Sequence, residues 1–135
     1  MTSQQLPVVE PTPAPSPRSG AMAAIVAGAA AGAFVWLWCA DFDGKREGWD
    51  DARWFGIGLP LLAALCLLLG YLMPVRTWRW AIAPVAAQVA ILVIQKPGAS
   101  LLPLGLVFFG VVFLGLAAVA KFGAFVRMRG RGAPA

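Results

Sequence analysis

The chain reads as an all-α protein, a bundle of four transmembrane helices behind a disordered, Pro-rich N-terminal tail. Three observations predict this. Hydrophobic residues make up 60% of the 135 positions, against roughly 45–50% in soluble domains. Charged residues are only 13%, about half the soluble norm. The charges are also segregated, with no Asp, Glu, Lys, Arg or His from Ala21 to Ala40 or from Phe55 to Val75. A soluble fold of this size leaves too much surface exposed to hide such a chain. Lipid is the better solvent for it.

Residues 1–20 form the tail. Pro7, Pro11, Pro13, Pro15 and Pro17 deprive it of amide donors and exclude a helix through the proline run, leaving an extended cytoplasmic segment. Span one follows over 21–40, long enough for a core roughly 30 Å thick. Its apolar run exceeds the roughly 7–15 residues of a signal-peptide core, so it is read as an uncleaved anchor. Residues 41–53 are the only substantial loop and hold Asp41, Asp43, Glu47, Asp50 and Asp51, five of the six acids. Asp41-Phe42-Asp43-Gly44 lacks the further oxygen ligands of a calcium loop and reads as solvated chain.

Span two covers 54–75 and stops at Met73-Pro74, because the residue before proline avoids helical geometry. Span three covers 78–95. Lys96-Pro97-Gly98-Ala99 is a tight turn, and Ser100 is placed to cap span four, which covers 100–120. Pro103 falls in its first turn, where a missing amide costs little. Residues 121–135 are a basic cytoplasmic tail. The short second and third connections make spans two, three and four expected antiparallel neighbours.

Four spans put both termini on one side, the side of Arg18, Arg76, Arg79, Lys121, Arg127, Arg129 and Arg131. The other side has Lys45, Arg46, Arg53 and Lys96. Seven against four places both ends in the cytoplasm by the positive-inside bias. Arg outnumbers Lys eight to three and neither His nor Asn occurs, a composition typical of a GC-rich bacterial genome. The expected location is therefore the bacterial cytoplasmic (inner) membrane. Arg76, Arg79, Lys121, Arg127, Arg129 and Arg131 are candidates for setting topology or touching lipid headgroups. No basic stripe interleaved with aromatics is present, so nucleic acid is not an expected partner. Trp36, Trp38, Trp49 and Trp54 read as an outer interfacial belt, and Trp78 and Trp80 as an inner one.

Few side chains inside the spans carry chemistry. Gln88 is the principal polar one, and a buried amide must find a partner in another helix, a pore or another subunit. Gly28 and Gly32, extended one turn back by Ala24, form a small-residue stripe for close helix packing or partner contact. Pro60 and Pro84 each remove an amide donor and free the carbonyls of Gly56 and Trp80, so helix kinks are expected there. Gly105, Gly110 and Gly115 are spaced by five and define no single face. Cys39 and Cys66 differ in depth by roughly 18 Å at 1.5 Å per residue, too far for a disulfide.

Proton-coupled transport generally relies on intramembrane ionisable groups; the small multidrug transporters share the size but carry a Glu in span one that Ala21–Ala40 lacks. There is no nucleophile triad, paired membrane carboxylate or phosphate loop, so no enzyme, cofactor or metal site is expected. The leading expectation is a non-catalytic accessory or assembly subunit of a larger membrane complex, meeting the lipid bilayer and either other membrane subunits or copies of itself. The alternative is an oligomeric pore, holin-like protein or small-solute transporter lined by Gln88 and the proline kinks. A third reading is a regulator that senses the envelope through loop 41–53.

Overall fold

The computed structural model describes residues 17–40, 48–95 and 102–131. The Pro-rich run before Pro17, Asp41 through Glu47, and the Pro97-Gly98 turn with Ser100 lie outside the described residues. Four long helices make up the fold: α1 (Pro17–Cys39), α2 (Leu59–Leu72), α3 (Trp78–Gln95) and α4 (Leu102–Arg131). A short 3-10 turn, Gly48–Asp50, and a π-helical turn, Trp54–Gly58, lead into α2. Among the described residues there is no strand. All four helical segments are long and apolar enough to cross a membrane, and the chain is a small multi-pass membrane protein.

Local chemistry explains the boundaries. α1 begins four residues before the charge-free run, with Pro17 at its first position, where no amide donor is needed. α2 ends at Leu72 because Met73, held before Pro74, is extended (φ −131°, ψ 79°). The connector to α3 then turns through Arg76 at φ 53°, a left-handed conformation costly for a residue with a Cβ. α3 has the limits expected for span three. α4 does not stop near Ala120. Its 30 residues extend about 45 Å, against a core of roughly 30 Å, so the basic segment is helical as far as Arg131.

The helices alternate in direction, but the closest pairs are not chain neighbours. α1 packs on α3 and α2 on α4, with α3 against α4 next; α2 and α3 barely meet. The register makes both principal pairs parallel. Along α1, Gly28 and Gly32 face Ala83 and Pro84, and Trp36 reaches Gln95. Along the π turn and α2, Phe55 meets Phe108, Gly70 meets Ala120, and Tyr71 meets Arg127. The expected antiparallel neighbours are thus found for α3 and α4 but corrected for α2 and α3. Short connectors force α2 and α3 to run antiparallel, but small residues on non-consecutive helices decide which backbones touch. Gly20 approaches the Met73 side chain, so the start of α1, the α2–α3 connector and the end of α4 share one end of the bundle.

Candidate functional site

Gln88 sits on the inward stripe of α3 formed by Ala81, Pro84, Val85, Gln88 and Leu92. Its exposure is 0%, so neither lipid nor a neighbouring chain reaches its amide in this arrangement. Neither Nε2 nor Oε1 has a hydrogen-bond partner among the described residues. An uncompensated amide of this kind costs roughly 1–3 kcal/mol on mutational scales. Gln95, two turns on, contrasts with it. It is exposed, and its Oε1 accepts a bond of 3.3 Å from the Trp36 indole N–H.

The stripe of Ala24, Gly28 and Gly32 is spent inside the chain. A Cβ on Gly28 would lie 3.4 Å from the Ala83 methyl, and one on Gly32 only 2.2 Å from the Pro84 carbonyl oxygen. This is helix packing on α3. A second seam was missed in the sequence. A Cβ at Gly70 would fall 2.0 Å from the Ala120 oxygen, and at Gly123 2.2 Å from the Leu67 oxygen. The signal was present, since Ala117, Ala120 and Ala124 recur at helical spacing with Gly123 between them.

Both prolines are accommodated by specific neighbours. Pro84 lies inside a continuous α3 and deprives the Trp80 carbonyl of its usual donor. The buried Cys66 thiol donates to that same carbonyl at 3.4 Å. Cys66 and Cys39 are both free and buried. Pro60 follows the π turn, in which the Leu59 amide bonds back five residues to the Trp54 carbonyl. The wider turn absorbs the irregularity just ahead of the ring.

At the end opposite the Arg-rich one, Trp36, Trp49, Trp54, Phe108 and Phe109 form a contiguous ring cluster. Centroids are 5.5 Å apart for Trp36–Trp49, 5.7 Å for Trp36–Phe109 and 5.5 Å for Trp54–Phe108, within the favourable range for aromatic pairs. Trp36 and Trp54 are only 1% and 0% exposed. They are therefore core residues at the level of the expected belt, whereas Trp38 and Trp78 face outward. Trp80, expected in the inner belt, is also buried and donates its indole N–H to the Met73 carbonyl at 3.0 Å. A Trp signals interfacial depth in a sequence, but packing decides which way the ring turns.

The basic residues divide into distinct roles. Arg127 donates from Nη1 to the Tyr71 carbonyl at 2.9 Å and also to that of Leu72. It thereby covers the carbonyl end of α2, where a cation also suits the helix dipole. Arg129 lies over the Phe125 ring at 5.1 Å and Arg79 over Trp78 at 5.8 Å. Lys121 is exposed on α4, Arg76 occupies the left-handed turn, and Arg131 closes α4. At the opposite end Arg53 pairs with Asp51 at 2.5 Å and covers the Trp38 ring at 5.8 Å. Asp41, Asp43 and Glu47 lie outside the described residues, among which no three His, Cys, Asp or Glu gather to hold a metal.

No protein-family model matches the chain, and neither a curated protein nor a solved structure does. The functional reading therefore rests on the residues and their geometry.

Proposed function

We propose that the chain is a non-catalytic accessory or assembly subunit of a larger membrane complex, seated in a bacterial cytoplasmic membrane with its Arg-rich end inside. The observation that carries this reading is an open groove between α3 and α4. Its volume is about 260 Å³, and Ile82, Val85, Ala86, Val89 and Phe113 line it around Gly110. Nothing lies within 4 Å of where a Gly110 Cβ would stand. At Gly28, Gly32, Gly70 and Gly123 the bundle closes its glycine seams with its own helices. Here Ala86 and Gly110 leave a notch of the shape that admits a helix backbone from another chain.

The orientation follows from charge. Arg76, Arg79, Arg127 and Arg129 gather at the end shared by the start of α1 and the finish of α4, opposite Arg53, which supports a cytoplasmic Arg-rich end. The pore alternative would require Gln88 beside a water-filled path, and its complete enclosure argues against that role.

The test is native-gel migration and pull-down from membranes in mild detergent. The wild-type chain should travel with a larger species. Gly110→Leu should release it without lowering the thermal stability of the isolated chain, because the new side chain enters open space and leucine favours the helix over glycine. A monodisperse wild-type monomer with nothing bound would refute the proposal.

A further inference from the structure

The Arg-rich end carries a second groove, between α2 and α4, of about 390 Å³. Ala64, Leu67, Leu68 and Tyr71 form one wall, and Phe122 and Val126 the other. Gly123 makes the floor, where the two backbones touch. From Ala64 to Tyr71 the groove follows the helix for about 10 Å at 1.5 Å per residue, so it runs along the helix axis rather than across it. The walls are hydrocarbon and aromatic until the mouth. There Tyr71, 45% exposed, is the last residue of the α2 wall. Arg127 follows Val126 directly, and Arg129 comes three residues after it. Arg127 is fixed at the mouth by its bonds to the Tyr71 and Leu72 carbonyls, and Arg129 is held over Phe125. A guanidinium has five donors, and the two carbonyls engage only the Nη1 end of Arg127. The acids among the described residues, Asp50 and Asp51, lie at the opposite end, beside Arg53. Among the described residues, then, the charge gathered at this mouth is positive.

We propose that this groove binds one anionic phospholipid, an acyl chain lying between α2 and α4 and its phosphate held by Arg127, Arg129 and the Tyr71 hydroxyl. The order of the chemistry carries the assignment. Apolar wall, phenol and guanidinium pairs succeed one another along the helix axis, as acyl chain, glycerol and phosphate do along a lipid. A partner helix would meet uncompensated positive charge at one end of the groove, whereas an anionic headgroup neutralises it. The site is independent of the accessory-subunit reading, because its test uses the isolated chain.

The experiment is native mass spectrometry of the purified full chain in neutral detergent, titrated with phosphatidylglycerol, phosphatidylcholine or inorganic phosphate. One phosphatidylglycerol should be retained per chain, in preference to phosphatidylcholine, and inorganic phosphate should neither bind nor compete. Arg129→Gln should weaken retention about fivefold, the usual worth of one basic contact with an anionic surface. Ala64→Phe fills the groove from an exposed position and should weaken it about tenfold by expelling roughly two methylenes. Leu114→Phe, on the lipid-facing side of α4, should change nothing. Equal retention of both lipids would overturn the proposal, as would unchanged binding in Ala64→Phe, which would mean headgroup attraction alone. Homodimer formation through Leu68→Cys would assign the groove to a second copy and overturn it equally.

Discussion

Adding one methyl group at Gly32 should be far more costly than adding it one turn earlier at Gly28. A Cβ at Gly32 would stand 2.2 Å from the Pro84 oxygen, 2.6 Å from its Cα and 2.7 Å from its carbonyl carbon. These are backbone atoms of a proline, which cannot swing aside as a side-chain tip can. To restore 3.4 Å, the inner limit of ordinary contact, α1 and α3 must part by about 1.2 Å at this point. That movement loosens the packing of both helices around Gln88 and Trp36. Overpacking of this kind costs about 1–3 kcal/mol. At Gly28 the same methyl would lie 3.4 Å from the Ala83 Cβ and 3.5 Å from the Pro84 Cδ, an ordinary contact. Both substitutions gain the same helix propensity, up to about 1 kcal/mol for Ala over Gly, so the difference between them isolates the close approach. Reversible unfolding from neutral detergent into SDS, followed by tryptophan fluorescence, should give Gly28→Ala at or above wild-type stability. Gly32→Ala should fall about 1–3 kcal/mol below Gly28→Ala. If the two variants agree within about 0.5 kcal/mol, or if Gly28→Ala is the weaker, the parallel packing of α1 on α3 through Gly32 is wrong.

Two further experiments probe the interior. Gln88→Met keeps the length of the side chain and removes an unpartnered amide, so it should raise stability by about 1–3 kcal/mol; a loss of similar size would reveal a hydrogen bond to the amide. Cys66→Ala should be destabilising, and less so when Pro84→Ala has returned an amide donor to the Trp80 carbonyl. A double-mutant cycle should give a coupling of about 0.5–1 kcal/mol, and a coupling of zero would rule out the thiol as the substitute donor.

Much of the fold was legible because lipid imposes simple rules on sequence. A helix in hydrocarbon must satisfy its own backbone and present apolar side chains all round, so charge-free runs and their bounding prolines announced four spans. The limits of α3 and the end of α2 near Pro74 followed from local chemistry that needs no partner. The candidate site was legible in part. Gln88 stood out because polar groups are rare at that depth, and Gly28 with Gly32 because small residues at that spacing expose backbone. Their neighbours could not be read. In lipid every helix face is apolar, so hydropathy does not distinguish a face that meets protein from one that meets lipid.

By itself, then, the sequence determined the solvent, the number of spans, the clustering of basic residues at one end and the scarcity of polar groups within. The tertiary structure alone decided that α1 pairs with α3 and α2 with α4, that Trp36 and Trp54 turn inward, and that the Cys66 thiol meets the carbonyl Pro84 leaves without a donor. Solvent preference is a property of each residue summed along the chain, whereas these contacts depend on fits of a few ångströms between backbones distant in sequence. Gly32 against Pro84 is the clearest case, since one hydrogen in place of a methyl allows the two helices to touch.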